Sequence, residues 1–193
     1  MSRSDFNMAA VILSGGQGSR MGGQDKGLIL IDGRPMVMRA LELAARFTRT
    51  FVISCNRNQS TYSQFKCKLI ADQLSDFQGP LAGIHSTLSH FEQEFSHLLV
   101  LPCDTPWLNE TLLAELVTAA QNNPSSICYL ATKDRPQFLH AVIPAALTSS
   151  LNSWLESGER AVYKWYRQHP VVEVKVTDIS ESLRNINTQS DVQ

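Results

Sequence analysis

The stretch AAVILSGGQGSRMGGQDK, residues 9–26, joins a short apolar run to a glycine-rich segment that ends in a charged pair. Five of the residues 13–26 are glycine. Glycine has no Cβ, so the N–H groups of such a segment can approach a bound anion closely. Arg20 and Lys26 add positive charge to the same segment. The stretch therefore predicts a buried strand followed by a loop that binds a polyphosphate.

The glycine loop differs from two common phosphate-binding motifs. A Walker loop needs a hydroxyl residue directly after its lysine, whereas Gly27 follows Lys26. The spacing of Gly16, Gly18 and Gly22 matches a dinucleotide fingerprint only loosely, because the turn of that motif runs straight into a helix. The structural alternatives for the two cations are a solvated loop position and a surface ion pair.

Apolar runs alternate with segments of helical period, which is the pattern of a parallel sheet covered by helices. The predicted strands are residues 9–13, 51–54, 68–71, 98–101, 127–130 and 171–176. The predicted helices are residues 35–47, 81–91, 110–121, 145–156 and 160–168. Residues 135–144 contain two prolines and are predicted as an irregular strand or a crossover, while the polar residues 1–7 are expected to be disordered. We therefore predict that residues 1–193 form one three-layer α/β/α domain around a mostly parallel, doubly wound sheet.

The composition argues against several classes of function. The 193 residues are 43% apolar, and 17 basic and 18 acidic residues give a net charge of −1. These charges are scattered along the chain, so we expect neither a nucleic-acid nor a membrane partner. The apolar run at residues 8–13 is too short for a signal sequence or a membrane span, and we expect a cytoplasmic protein. The four cysteines lack metal-ligand spacing and are expected to be reduced.

Polar residues follow three of the predicted strands at the points where these strands end. Ser54 and Asn56 close the second strand, Asp72 closes the third and Asp104 closes the fourth. Ligands of doubly wound sheets bind beyond the carboxyl ends of the strands, so these side chains and the glycine loop should form one site. Asp104 suits magnesium, a hard ion that takes one or two carboxylates together with phosphates and water. The alternative for Asp104 is a capping role in the turn that follows it.

Beyond these local patterns, the chain resembles a known family over nearly its whole length. The segment LSGGQGSRMGGQDK resembles the signature loop of nucleotidyltransferases that use a nucleoside triphosphate to activate a phosphate-bearing acceptor. Within that superfamily, the chain is similar to the molybdenum cofactor guanylyltransferase family. The similarity continues through the segment GLILIDGRPM, Asp72, and the segments QGPLAGI, LPCDTPWL, SGER and NINT, in that order. The resemblance implies a Rossmann-like nucleotidyltransferase fold.

The resemblance also implies roles for the residues that match the family pattern. The first half of the chain would bind the guanine nucleotide, with Lys26 at its phosphates. The residues implied in nucleotide binding are Leu13, Ser14, Gly15, Gly16, Lys26, Ser54, Asn56, Asp72 and Asp104. Asp104 would also hold Mg²⁺, and Asp104, Lys26 and Arg20 would be the catalytic residues. Ser14 replaces an alanine that is usual in the family, Ser54 an asparagine that is frequent, and Ala161 a frequent second arginine.

The reaction implied by the resemblance is transfer of GMP from GTP to the phosphate of molybdopterin, with release of pyrophosphate. Transient contacts with proteins of cofactor synthesis or molybdoenzyme maturation are implied as well. The second half of the chain, including Arg135, Gln137 and residues 185–187, would bind the acceptor. His140 lies in the same region, where an ordinary structural position competes with a role toward the acceptor. The alternatives are a relative that uses CTP or a sugar-phosphate acceptor, and a non-catalytic nucleotide-binding module.

Overall fold

The computed structural model describes residues 6–14, 24–72, 79–91, 94–176, 181–186 and 191. The strands are β1 (Met8–Leu13), β2 (Leu30–Ile31), β3 (Arg34–Pro35), β4 (Phe51–Ser54), β5 (Lys68–Ile70), β6 (His97–Pro102), β7 (Ile127–Ala131), β8 (Pro136–Pro144) and β9 (Val171–Lys175). The helices are α1 (Met36–Ala44), α2 (Gln59–Tyr62), α3 (Pro80–Phe91), α4 (Glu110–Asn122), α5 (Thr148–Glu156) and α6 (Val162–Tyr166). Short 3-10 helices lie at Lys26–Leu28, Ser63–Phe65 and Ala145–Leu147. Within these described ranges, no helix is both long and apolar enough to cross a bilayer.

Seven of the strands form the main sheet, in the order β5-β4-β1-β6-β8-β7-β9, and β2 pairs with β3 in a separate hairpin. The neighbours in the main sheet are parallel except for β8, which runs antiparallel to both β6 and β7. Helices α1 and α4 pack against one face of the sheet, and α3, α5 and α6 pack against the other. The predicted three-layer fold with a mostly parallel sheet is therefore confirmed.

Strand β1 shows why a fully buried strand has a continuously apolar sequence. Ala10 and Ile12 pack into the core on the α1 and α4 side, whereas Ala9 and Val11 pack into the core on the opposite side. A central strand in a parallel sheet is covered on both faces, so its sequence is continuously apolar instead of alternating. The six predicted strands are all present, with ends shifted by no more than a few residues.

The predicted helices are also present, but three of them are shorter than expected, and the one predicted at residues 35–47 is helical only over α1. The segment predicted at residues 145–156 begins with the 3-10 helix Ala145–Leu147 before α5. The segment predicted at residues 160–168 is helical only over α6. Gly158 has a φ of +85°, which ends α5, and Arg160 Nη1 donates to the Leu155 carbonyl at 2.8 Å. Arg160 therefore caps α5 instead of starting the next helix.

Strand β8 occupies residues for which the sequence predicted an irregular strand or a crossover. Residues 136–144 form a strand, and the irregularity in this strand is a β-bulge. Leu130 of β7 pairs with Gln137, while the preceding Tyr129 pairs with Ala141. Residues 138–140 of β8 consequently have no pairing partner in β7. A bulge re-aims side chains away from the regular pleat, and this one lies near the carboxyl end of β6, because β8 is antiparallel to β6.

The amino-terminal segment departs from the expectation of disorder at its last two residues. Residues 1–5 lie outside the described part of the chain. Asn7 Nδ2 donates to the Glu94 carbonyl at 3.0 Å, and the Ser96 N–H donates to Asn7 Oδ1 at 2.7 Å. The Phe6 ring lies 4.3 Å from the His97 ring, measured between centroids. These contacts extend the ordered start of β1 by two residues.

Candidate active site

A cavity of about 450 Å³ lies at the carboxyl ends of β1, β4, β5 and β6. Its walls also include the start of α3, the bulge of β8 and the first residue of α6. The lining residues are Leu13, Ser14, Asp25, Lys26, Ser54, Asp72, Gly79, Pro80, Gly83, Pro102, Cys103, Asp104, residues 136–140, Val162 and Asn185. The structure thus brings the predicted strand-end residues Ser54, Asp72 and Asp104 together with Lys26.

Asp104 is the point at which three segments of the chain converge. Lys26 Nζ lies 3.2 Å from Asp104 Oδ2, and Asn185 Nδ2 donates to Asp104 Oδ1 at 3.5 Å. The Ile186 N–H donates to the Asp104 carbonyl at 2.8 Å. The Asp104 side chain is 18% exposed, and its carboxylate faces the cavity. The hydrogen bond from Ile186 holds the Asp104 backbone in place. A residue from the glycine-loop side and one from near the carboxyl terminus therefore share one carboxylate.

Lys26 is held in place by its neighbour Asp25, which sequence reasoning had noted only as part of a charged loop. Asp25 Oδ1 accepts hydrogen bonds from the Tyr62 hydroxyl at 2.6 Å and from the Gly27 N–H at 3.2 Å. Asp25 Oδ2 accepts from Asn58 Nδ2 at 3.0 Å. Burial raises the pKa of the Tyr62 hydroxyl, which stays protonated and donates. Asp25 thereby caps the 3-10 helix that carries Lys26. The feature of the sequence that could have predicted this cap is an aspartate directly before a short turn.

Two glycines allow elements of the site to approach each other closely. A Cβ at Gly83 of α3 would collide with Ser54 Oγ and lie 3.2 Å from Leu13 Cδ2. A Cβ at Gly27 would collide with the Tyr62 hydroxyl and lie 3.1 Å from Ser14 Oγ. Both glycines are needed for packing and not for backbone conformation.

Asn56, which the resemblance places among the nucleotide-binding residues, bonds to another predicted site residue. Asn56 Nδ2 donates to Asp72 Oδ2 at 2.7 Å, and the Asp72 N–H donates to Asn56 Oδ1 at 2.8 Å. Burial raises the pKa of the Asp72 carboxyl, although hydrogen bonds from Asn56 and Ser54 oppose the shift. Asn56 therefore positions Asp72, which lines the cavity.

On the β8 side of the cavity, a buried pair links the Asp104 turn to β8. The Thr105 hydroxyl and His140 Nε2 are 2.9 Å apart, and both side chains are almost completely buried. Burial lowers the pKa of His140 to about 3, so the imidazole is neutral at ordinary pH. Burial and the nearby Asp104 raise the pKa of Cys103 to about 12. The Cys103 thiol is therefore protonated, in keeping with a packing role.

The remaining predicted residues lie outside the described part of the chain, in the cavity wall or in an exposed turn. Gly15, Gly16, Arg20 and Asn187 are outside the described residues. Leu13 and Ser14, the last described residues before the glycine loop, line the cavity, as does Gln137. Arg135 lies exposed in the turn before β8, where its backbone N–H donates to the Thr132 hydroxyl at 3.2 Å.

Comparisons with known proteins agree with this geometry. A family model described as a MobA-like NTP transferase domain matches residues 10–172. A molybdenum cofactor guanylyltransferase from Shewanella halifaxensis is 35% identical over 184 residues, covering 95% of this chain and 91% of that protein. The enzyme of the same name from Histophilus somni is 34% identical over 186 residues, covering 96% and 94%.

Solved structures of other proteins share this fold. Molybdopterin-guanine dinucleotide biosynthesis protein A from Archaeoglobus fulgidus superposes with a TM-score of 0.79 at 25% identity, covering 96% of this chain and 95% of that one. A 4-diphosphocytidyl-2C-methyl-D-erythritol synthase from Anaerococcus prevotii shares the fold at 13% identity, with a TM-score of 0.75 and coverage of 98% and 94%. The chain therefore belongs to the molybdenum cofactor guanylyltransferase family and contains a MobA-like NTP transferase domain.

Proposed function

We propose that this chain transfers GMP from GTP to the phosphate of molybdopterin, releasing pyrophosphate and forming the guanine dinucleotide cofactor. The observation that carries the proposal is the convergence on Asp104. Lys26 reaches this carboxylate from the nucleotide side, and Asn185 reaches it from the acceptor side. A transferred phosphoryl centre must lie between two substrates, and Asp104 lies between the two parts of the chain that would bind them.

The reaction needs positioning and charge neutralisation more than covalent chemistry. An oxygen of the molybdopterin phosphate attacks the α-phosphorus of GTP, and a new P–O bond forms. The bond between the α-phosphorus and the bridging oxygen to the β-phosphate breaks, and pyrophosphate carries away the electron pair. Lys26, at the start of the short helix that Asp25 caps, neutralises negative charge on the phosphates during this step. No covalent enzyme intermediate is required, which agrees with the protonated state of Cys103.

Magnesium fits the residues at the centre of the cavity. Among the described residues, no group of three or more His, Cys, Asp or Glu side chains is arranged to hold a metal. A single carboxylate suits magnesium, because this ion takes most of its ligands from phosphates and water when it binds with a nucleotide. Asp104 would hold the ion, and bound magnesium would withdraw charge from the phosphate oxygens.

The nucleotide side of the cavity would hold the guanine base and ribose near Ser54 and Asp72, which lie at the ends of β4 and β5. The acceptor side would hold molybdopterin against the bulge of β8, Gln137 and Asn185. A cytoplasmic location and transient contact with proteins that supply or receive the cofactor belong to the same proposal.

A coupled pyrophosphate-release assay with molybdopterin and each of the four nucleoside triphosphates tests the proposal. GTP should support magnesium-dependent release that requires molybdopterin. Preference for CTP would overturn the assignment of the base, and release with a sugar phosphate in place of molybdopterin would overturn that of the acceptor. Nucleotide binding with no release under any of these conditions would indicate a binding module.

A further inference from the structure

A second, smaller cavity of about 310 Å³ lies beside the first. We call it the aromatic pocket, and it is defined by Tyr129, Phe138, Tyr163, Tyr166, Arg167 and Glu173. Tyr129, Phe138 and Tyr166 pack together, with ring centroids 5.1 to 5.8 Å apart. The pocket therefore has a rigid aromatic wall, made by β7, the β8 bulge and α6.

The aromatic pocket is continuous with the main cavity. Pro136 and Phe138 line both cavities, and α6 contributes Val162 to the main cavity and Tyr163 to the aromatic pocket. Phe138 is a bulge residue, so the irregularity of β8 supplies the shared wall. A ligand whose phosphate lies near Asp104 could extend past Phe138 into the aromatic pocket.

The pocket also exposes apolar surface. Tyr163 and Val171 are both 43% exposed, and they line this pocket. Only one other large apolar residue of the described chain, Leu30, is as exposed. Ligand sites typically combine an apolar concave surface with a few polar groups that fix orientation.

Two opposite charges supply those polar groups. The Arg167 guanidinium lies 5.7 Å from the centre of the Tyr163 ring. Glu173 lies across the pocket on β9. Burial raises the pKa of the Tyr129 hydroxyl, Glu173 raises it further and Arg167 opposes the shift, so both charges act on this hydroxyl.

We propose that the aromatic pocket binds the pterin ring of the acceptor, by stacking on Tyr163 and Phe138 and by hydrogen bonding to Glu173. This inference rests on the proposed function. The pterin of the acceptor has a planar 2-amino-4-oxopyrimidine ring, whose edge presents two adjacent N–H donors. A carboxylate accepts two such donors at once, and aromatic side chains bind flat rings by stacking.

Guanine has the same donor edge, so GTP is the other source of this chemistry. The sheet topology favours the pterin. The strands that carry Ser54 and Asp72 lie on one side of β1, whereas β7 and β9, which form the aromatic pocket, lie at the opposite end of the sheet. A nucleotide whose base lies beside Ser54 cannot also reach Glu173.

The test compares KM values for molybdopterin and GTP in the pyrophosphate assay, using Glu173→Gln and Tyr163→Leu. Each variant should raise KM for molybdopterin by roughly tenfold or more, as expected for loss of a charged hydrogen bond or a stacked ring. KM for GTP should not change. Glu115→Gln, on the exposed side of α4, is the matched control and should behave like the wild type.

A second measurement uses quenching of 6-hydroxymethylpterin fluorescence, with GMP as competitor. Binding that Glu173→Gln weakens and that GMP does not displace supports the pterin site. Unchanged KM for molybdopterin in both variants would overturn the pocket assignment while leaving the proposed function intact. A rise in KM for GTP instead would mean that the pocket holds the guanine base. If the wild type releases no pyrophosphate but still binds the pterin at Glu173, the proposed reaction fails and the pocket assignment stands.

Discussion

The two sides of the main cavity are built in different ways. The proposed nucleotide side consists of the ends of parallel strands, where Ser54 and Asp72 lie at the ends of buried runs. The proposed acceptor side consists of a bulge in the antiparallel strand β8, the short helix α6 and Asn185. A parallel strand end fixes where a side chain lies through the regular pleat. A bulge or a short helix fixes it through contacts between residues that are distant in sequence.

The two sides should respond differently to substitution. On the proposed nucleotide side, small residues such as Gly83 permit a close approach between backbone elements, and hydrogen bonds such as Asn56 to Asp72 complete the positioning. On the proposed acceptor side, side-chain contacts such as Thr105 to His140 connect the elements of the wall. Substitutions should therefore act through both packing and hydrogen bonds on the first side and mainly through individual hydrogen bonds on the second.

The largest effect is expected at Asp104, where the two sides meet. Asp104→Asn keeps the size of the side chain but removes the negative charge that would hold magnesium. We expect turnover in the pyrophosphate assay to be abolished, with an unchanged midpoint of thermal unfolding. Asp134→Asn, in the exposed turn before β8, is the control and should be fully active. Activity of Asp104→Asn within about tenfold of the wild type, a barrier change below about 1.4 kcal/mol, would remove Asp104 from this role.

A smaller loss is expected at Lys26, on the nucleotide side. Lys26→Ala should lower turnover by on the order of 10²- to 10³-fold, because a preorganised charge in a cavity stabilises developing negative charge. Calorimetric titration should also show weaker GTP binding. Lys68→Ala, at the exposed start of β5, is the matched control. Equal turnover in the two variants would contradict the role of Lys26.

Packing on the nucleotide side can be tested at Gly83. Gly83→Ala should lower the free energy of unfolding by roughly 1–3 kcal/mol, because the added Cβ collides with Ser54 Oγ. This cost exceeds the gain of up to about 1 kcal/mol in helix propensity. Urea unfolding measures the difference. Adding Ser54→Ala to the variant should restore part of the stability, whereas no recovery would mean that Leu13 causes the strain.

The smallest effect concerns the acceptor side and appears only with changing pH. The pKa of His140 is lowered to about 3 in the folded chain, against an ordinary value of 6.5. Its contribution to stability is therefore complete above about pH 6.5 and declines as the pH falls from there toward 3. The decline should approach about 1.4 kcal/mol per pH unit.

Urea unfolding at about pH 7 and at about pH 5.5 should show a loss of roughly 1 kcal/mol in the wild type that His140→Gln lacks. The other titrating groups are common to both proteins and cancel. His90→Gln is the control, because the His90 side chain is exposed. Identical losses in the wild type and in His140→Gln would show that burial of His140 does not couple to protonation.

The comparison also explains which parts of the structure were predictable. Asp72 and Asp104 were found from the sequence because each follows an apolar run that forms a strand, and parallel strand ends meet at one edge. The cap of α4 was equally local, since Asn109 Oδ1 accepts from the Leu112 N–H at 3.0 Å. Such features depend on residues within a few positions of each other.

The features that sequence reasoning missed depend on distant pairs. Tyr62 and Asp25 are separated by 37 positions, and Thr105 and His140 by 35. Neither pair has a periodic pattern that would reveal it. The bulge at residues 138–140 was anticipated only as irregularity, because pairing register depends on both strands of a pair. The glycine loop itself, with Arg20, lies outside the described residues, and its roles remain predictions.

The contact between Lys26 and Asp104 has a thermodynamic consequence. In the protein without ligands, each of these charges is the other's counter-ion. A magnesium ion that binds Asp104 as proposed would compete with Lys26, and a polyphosphate that binds Lys26 would compete with Asp104. Each ligand would therefore remove the competitor of the other, which would produce positive heterotropic coupling between metal and nucleotide. Because such coupling is reciprocal, the affinity for magnesium should rise with nucleotide by the same factor as the affinity for nucleotide rises with magnesium.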